Sequence, residues 1–144
     1  MMKLQISGRI FSDLISSTKE LLTDVNLSVS AEGLTMQSMD TAHVALCMLD
    51  LPKACFTGFH VTEPAVIGIN MSTLSMALNC LDLGAELLLE YTDSKLHLST
   101  NGDRGPRNLI LHTMDIDAEE MHVPPTTPQG IVELEARDFA SLCA

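Results

Sequence analysis

Aromatic residues are scarce in this sequence. Phe, Tyr and Trp together make up 3% of the 144 residues, with four Phe, one Tyr and no Trp. Proteins that bind single-stranded nucleic acid by base stacking need several exposed rings, so the composition argues against that class. Basic residues are also few, because 8 Lys plus Arg face 19 Asp plus Glu and leave a formal net charge of −11. This balance argues against a simple basic nucleic-acid-binding module.

Several motifs that would indicate membrane insertion, metal binding or catalysis are missing. No apolar run approaches the roughly 20 residues of a membrane-spanning helix, and the first residues do not resemble a signal peptide. Phosphate-binding glycine loops, Gly-x-Ser-x-Gly and His-Glu-x-x-His do not occur. We therefore predict a soluble intracellular protein that has no membrane contact, no cofactor, no metal site and no enzymatic activity.

The four cysteines are widely spaced along the chain. Cys47, Cys55, Cys80 and Cys143 form no CxxC pair and have no histidine at metal-ligand spacing. This pattern predicts four small, buried, reduced side chains.

Two similar units of alternating periodicity follow one another along the chain. Apolar residues make up 46% of the sequence, and strand-like alternation, a helical period and three further strand-like runs occur twice, about 60 residues apart. The second helix is predicted to be capped by Asn70 or Ser72, and the first is predicted from Gly8 to Leu22 with Ser12 on its polar face. The predicted apolar face of the first helix consists of Ile10, Phe11, Leu14, Ile15, Thr18, Leu21 and Leu22. The sequence thus predicts an α+β fold with a duplicated β-α-β-β-β unit and two helices on one face of a continuous antiparallel sheet.

The character of the chain changes after Thr113. The stretch 114–130 carries acidic residues up to Glu120 and then Pro124, Pro125 and Pro128, a composition typical of an exposed linker. Ile131 to Leu134 is strand-like and Ala136 to Cys143 is helical, which repeats the opening of each unit. We therefore divide the chain into a domain over 1–113, a connector over 114–130 and the start of a further domain over 131–144.

Four segments resemble one protein family. The segments from Leu34 to Leu46 and from Met114 to Pro124 look like two characteristic segments of the eukaryotic sliding clamp (proliferating cell nuclear antigen) family, the second being its interdomain connector. Gly68 to Ser75 and Phe139 to Cys143 are similar to its second helix entry and to the opening of its second domain. The resemblance implies the DNA-clamp fold and a nuclear, non-enzymatic ring, a homotrimer when full length. Such a ring encircles double-stranded DNA and holds DNA polymerase and repair proteins as a processivity factor.

The resemblance also implies functional residues. Partner proteins of this family insert a short peptide plug of apolar and aromatic residues between the connector and the domain. The residues that match this pocket are Met39, His43, Val44, Leu46, Met121, Val123 and Pro124. His122 stands where the family usually has Gly. The implied DNA-facing residues are Arg9 and Lys19, whereas other matching positions of the two helices carry Ser12, Asp13, Met76 and Asn79.

Two alternatives follow from the same residues. A truncated or divergent clamp paralogue would bind partners or clamp subunits without encircling DNA, which the few basic residues on the helices favour. A small enzyme would use the carboxylates between Asp115 and Glu120, but it would need a carboxylate enclosed in a pocket, and a proline-bounded linker predicts exposed ones.

Overall fold

The structure is a computed structural model that describes residues 1–118 and 121–144. Glu119 and Glu120, which the sequence analysis assigns to the acidic connector, lie outside the described residues. Within the described part, the chain forms nine strands, three α-helices and a 3-10 turn. In chain order these are β1 (Met2–Ser7), α1 (Gly8–Thr18), β2 (Asp24–Ser30), β3 (Gly33–Met39), β4 (Leu46–Pro52), the 3-10 turn (Lys53–Cys55), β5 (Gly58–Val61), β6 (Ala65–Asn70), α2 (Met71–Asn79), β7 (Glu86–Thr92), β8 (Lys95–Gly102), β9 (Gly105–His112) and α3 (Ala136–Cys143).

The duplicated unit is confirmed. The first strand of each copy pairs with a strand of the other copy. Strand β1 pairs with β7, placing Leu4 opposite Leu89, and β6 pairs with β2, placing Ile67 opposite Leu27. The strands form two antiparallel sheets, β5-β1-β7-β8-β9 and β4-β3-β2-β6. The α+β fold is therefore as predicted, but the prediction of one continuous sheet is wrong. Hydrophobic periodicity describes each strand alone and does not reveal where one sheet ends and another begins.

Helices α1 and α2 contact each other and share one aliphatic core with both sheets. Each begins with a side-chain cap, Ser7 for α1 and Asn70 for α2, whose oxygens accept the backbone N–H of Ile10 and Thr73. The largest fully buried side chains are Leu4, Ile6, Phe11, Ile15, Ile67, Ile69, Met71, Leu74, Leu78, Leu87, Leu96 and Leu98.

Helix α1 is shorter than predicted, and its buried face includes Phe11 and Ile15 as predicted but Ser12 in place of Ile10. It ends at Thr18, and its buried positions are Gly8, Phe11, Ser12 and Ile15. Ile10 is 54% exposed, because one residue along a helix changes direction by about 100° and Phe11 occupies the core position. Two adjacent apolar residues left the orientation of the helix ambiguous.

The last segment departs from the prediction in one element. Helix α3 forms over the predicted residues, but Ile131 to Leu134 is not a strand, and Val132 is 85% exposed. In the described residues this segment pairs with no strand, and a strand needs a neighbour to satisfy its backbone hydrogen bonds. None of the helices in the described residues is long and apolar enough to cross a lipid bilayer.

Candidate functional site

The beginning of the connector crosses the outer face of the four-stranded sheet. The backbone N–H of Met114 donates to the carbonyl of Gly68 on β6 at 2.8 Å. The side-chain Nδ2 of Asn26 on β2 then donates to the carbonyl of Ile116 at 2.9 Å. Gly68 is required by this close approach, because a Cβ there would lie 2.0 Å from the carbonyl oxygen of Met114. The connector is thus tied to two neighbouring strands before it reaches β3.

On β3 the connector meets the side chain of Gln37. Its Nε2 donates to the carbonyl of Met121 at 2.6 Å, and its Oε1 accepts the backbone N–H of Met121 at 3.0 Å. The same Nε2 lies 3.7 Å from the sulfur of Met48 on β4. Both polar groups of one connector residue are therefore satisfied by a single side chain.

The space between this part of the connector and the end of β3 is a cavity of about 410 Å³, a volume within the range of ligand pockets. The wall combines apolar side chains with polar ones, among them two carboxylates. The lining residues are Asp24, Gln37, Ser38, Met39, His43, Leu46, Ile116, Asp117, Ala118 and Met121.

Asp40 shapes the turn between β3 and β4 beside this cavity. Its Oδ1 accepts the backbone N–H of Val44 at 2.8 Å and of Ala45 at 2.9 Å. These hydrogen bonds, first that of Ala45 and then that of Val44, favour the ionised carboxylate and hold the pKa of Asp40 below its usual value of 3.8. The turn places His43 in the left-handed region at φ 56°, and His43 lines the cavity.

The predicted pocket residues fall into two groups. Met39, His43, Leu46 and Met121 line the cavity. Three others lie outside its lining and are exposed, namely Val44 at 85%, Val123 at 50%, and Pro124. His122 is also exposed.

Sequence reasoning missed six lining residues. Gln37 could have been found, because alternation places it on the same face of β3 as Met39. Asp24, by contrast, comes to the cavity through the pairing of β2 with its neighbours, for which the sequence carries no local signal. The other four lining residues that were missed are Ser38, Ile116, Asp117 and Ala118.

The exposed surface of the two paired helices carries few basic side chains. Arg9 is exposed and Lys19 is half-buried at the end of α1. Ser12, which the family comparison places among the DNA-facing positions, is only 6% exposed and belongs to the core. The other non-basic residues at the matching positions of the helices are exposed, namely Asp13, Met76 and Asn79.

The cysteines and the described carboxylates of the connector lie largely at the surface. The prediction of buried cysteines is wrong, because Cys47 is half-buried and the other three are exposed, all of them as free thiols. Asp115 and Asp117 are exposed. In residues 1–118 and 121–144, no group of three or more His, Cys, Asp or Glu side chains could hold a metal ion.

The first strand of each unit pairs with a strand of the other unit, and the two helices pack together. The connector crosses the four-stranded sheet on the face away from the helices. Together these features define a clamp-type α+β domain. The family described as proliferating cell nuclear antigen, N-terminal domain, matches residues 1–120. The chain belongs to this family.

Two curated relatives show the extent of the similarity. Proliferating cell nuclear antigen 2 of Drosophila melanogaster is 27% identical over 138 residues, which cover 93% of this chain and 54% of that protein. Proliferating cell nuclear antigen of Caenorhabditis elegans is 27% identical over 146 aligned residues, covering 98% of this chain and 55% of that protein. The chain therefore spans about half the length of the curated relatives it matches.

Proposed function

We propose that this chain contributes the partner-binding part of a sliding-clamp-like processivity factor, a nuclear scaffold for replication and repair proteins with no enzymatic activity. In this proposal, residues 1–113 are the clamp N-terminal domain, 114–130 the connector and 131–144 the start of a second clamp domain. The observation that carries the proposal is the cavity between the connector and β3, with the family membership of residues 1–120. Its ligand is a short peptide of a DNA polymerase or repair protein.

The cavity binds the peptide by burying its apolar and aromatic side chains. Met39, Leu46 and Met121 supply the apolar wall, and the flexible thioethers adapt to different rings. One aromatic side chain buries about 200 Å², which is worth about 5 kcal/mol at 25 cal/mol per Å² before the costs of ordering the peptide. Asp24 and Asp117 at the cavity favour a peptide with cationic residues beside the plug.

Peptide binding can be tested with a synthetic plug of one apolar and two aromatic residues. We expect weak binding to the full chain by fluorescence anisotropy and a loss of affinity above about 100-fold in Met39→Asp, because the plug would have to desolvate a carboxylate. The matched control is Met76→Asp, the same chemical change at a 62% exposed position of α2. Equal affinity of wild type and Met39→Asp would refute the site.

Contact with double-stranded DNA, in a homotrimeric ring, is the second part of the proposal. Arg9 and Lys19 are the proposed DNA-facing residues, and each neutralised phosphate adds to affinity and to its salt dependence.

The alternative is a divergent clamp paralogue that binds partners without encircling DNA. The exposed Asp13, Met76 and Asn79 favour it, since none of them can neutralise a phosphate.

Retention on DNA distinguishes the two. An encircling ring stays on linear duplex with blocked ends at high salt and slides off when the ends are free. A paralogue that does not encircle DNA is lost equally from both substrates, and light scattering of the same sample reports whether a trimer forms.

A further inference from the structure

The three attachment points of the connector lie in one row across the four-stranded sheet. Asn26 of β2 stands opposite Gly68 of β6 in the strand register. Leu27 pairs with Met36, so the neighbouring Asn26 and Gln37 are adjacent on the outer face of the sheet. The connector therefore crosses the strands and gains a hydrogen-bonding partner on each of three of them.

The contact made by Gln37 differs from the other two in kind. At Gly68 and Asn26 one hydrogen bond holds one connector residue, whereas Gln37 engages both the carbonyl and the N–H of Met121. Two reciprocal hydrogen bonds, one donated and one accepted by the same amide group, fix the orientation as well as the position of Met121. The Nε2 of Gln37 also lies 3.7 Å from the sulfur of Met48. Because a thioether sulfur is a weak acceptor, this contact favours the amide orientation that both hydrogen bonds to Met121 require.

Gln37 also connects the two sides of the cavity. It lies on β3, two residues before Met39 and on the same face, and it holds Met121, which lines the cavity from the connector side. The distance between the two walls is thus set through one side chain. A peptide plug enters between Met39 and Met121, where this distance determines its fit.

We propose that Gln37 is a positioning residue that sets the width of the cavity by holding the connector in its binding conformation. This inference rests on the proposed peptide-binding function. Without Gln37, the connector around Met121 would have to become ordered when the peptide binds, and that ordering lowers affinity. With Gln37, the cavity is largely formed before the peptide arrives.

The first test measures the connector without any ligand. The backbone N–H of Met121 exchanges slowly with solvent deuterium while Gln37 accepts it, and we expect about tenfold faster exchange in Gln37→Ala, the change produced by losing a hydrogen bond. Gln37→Glu keeps an acceptor oxygen but places a second oxygen against the Met121 carbonyl, so exchange is also faster. Thr35→Ala is the control, an exposed residue of the same strand and face, and leaves the rate unchanged.

The second test measures binding of the synthetic plug peptide to the same variants of the 144-residue chain. We expect Gln37→Ala and Gln37→Glu to raise the dissociation constant about three- to tenfold, and Thr35→Ala to match wild type. Unchanged Met121 exchange in Gln37→Ala would overturn the contact itself. Faster exchange with unchanged affinity would overturn the role of Gln37 in the cavity. If the wild-type chain does not bind the peptide at all, the proposed function is overturned, but the exchange result still stands.

Discussion

Replacing Gly68 by Ala should detach the first part of the connector while leaving the core folded. The added Cβ would lie 2.0 Å from the carbonyl oxygen of Met114 and 3.1 Å from Cγ1 of Ile116. To reach even 3.0 Å, one of the two backbones has to move by about 1 Å. Strand β6 is held by Ile67 and Ile69, which are 1% and 2% exposed, so the connector is the part that moves.

The cost follows from what the connector loses. Displacing Met114 breaks its 2.8 Å hydrogen bond to Gly68 and strains the one between Asn26 and Ile116, at about 1 kcal/mol each. We therefore expect Gly68→Ala to lower the free energy of unfolding by about 1–3 kcal/mol.

Urea denaturation and amide exchange together check this prediction. The midpoint should fall, and the N–H of Met114 should exchange as fast as an unstructured amide. Gly130→Ala is the matched control, because a Cβ there meets nothing within 4 Å, and it should change stability by less than about 0.5 kcal/mol. If Gly68→Ala keeps both the wild-type midpoint and a protected Met114 amide, the connector does not lie against β6 as described.

Two further predictions concern local structure. Asn70→Ala should lower the free energy of unfolding, measured with heat or urea, by about 1 kcal/mol, because the Oδ1 of Asn70 accepts the N–H of Thr73 at 3.0 Å. Ser72→Ala, at an exposed neighbouring position, should lower it by less than about 0.5 kcal/mol. Equal effects of the two substitutions would contradict the assignment of Asn70 as the cap. The lowered pKa of Asp40 means that its carboxylate stabilises the turn above pH 3.8 and that this contribution disappears as pH falls through the lower, folded-state pKa. Carbon NMR of the Asp40 carboxyl should give a midpoint below 3.8, and Asp40→Asn should abolish this acid-dependent change in the turn; a midpoint at or above 3.8 would refute the bonding.

Local patterns predicted the elements well, and contacts distant in sequence account for most of what was missed. The duplicated unit followed from periodicity, and Asn70 was one of two candidate caps. The bonds from Gln37 and Asn26 to the connector join residues 84 and 90 positions apart, for which a single sequence has no signal. The exposure of Ile10 was missed for a different reason, since either of two adjacent apolar residues such as Ile10 and Phe11 can take the core position of a helix.

The same distinction applies to the candidate site. Met39 and Leu46 were predicted as pocket residues through a family resemblance, whereas periodicity alone favours core positions for both. Val44 and Val123 were inferred from the same segments, but they lie in a turn and in the connector, where no repeating pattern determines which way a side chain faces. Their exposure could be established only from the structure.

The cavity and the proposed DNA-facing surface lie on opposite sides of the domain. The inward residues of β2, such as Val25 and Leu27, pack in the same core as Phe11 and Leu74 of the helices, so the helices cover the inner face of the sheet. The connector crosses the outer face. The shortage of basic residues on the helices would therefore weaken the proposed contact with DNA without altering the cavity wall. We expect a substitution on one surface to leave binding at the other unchanged.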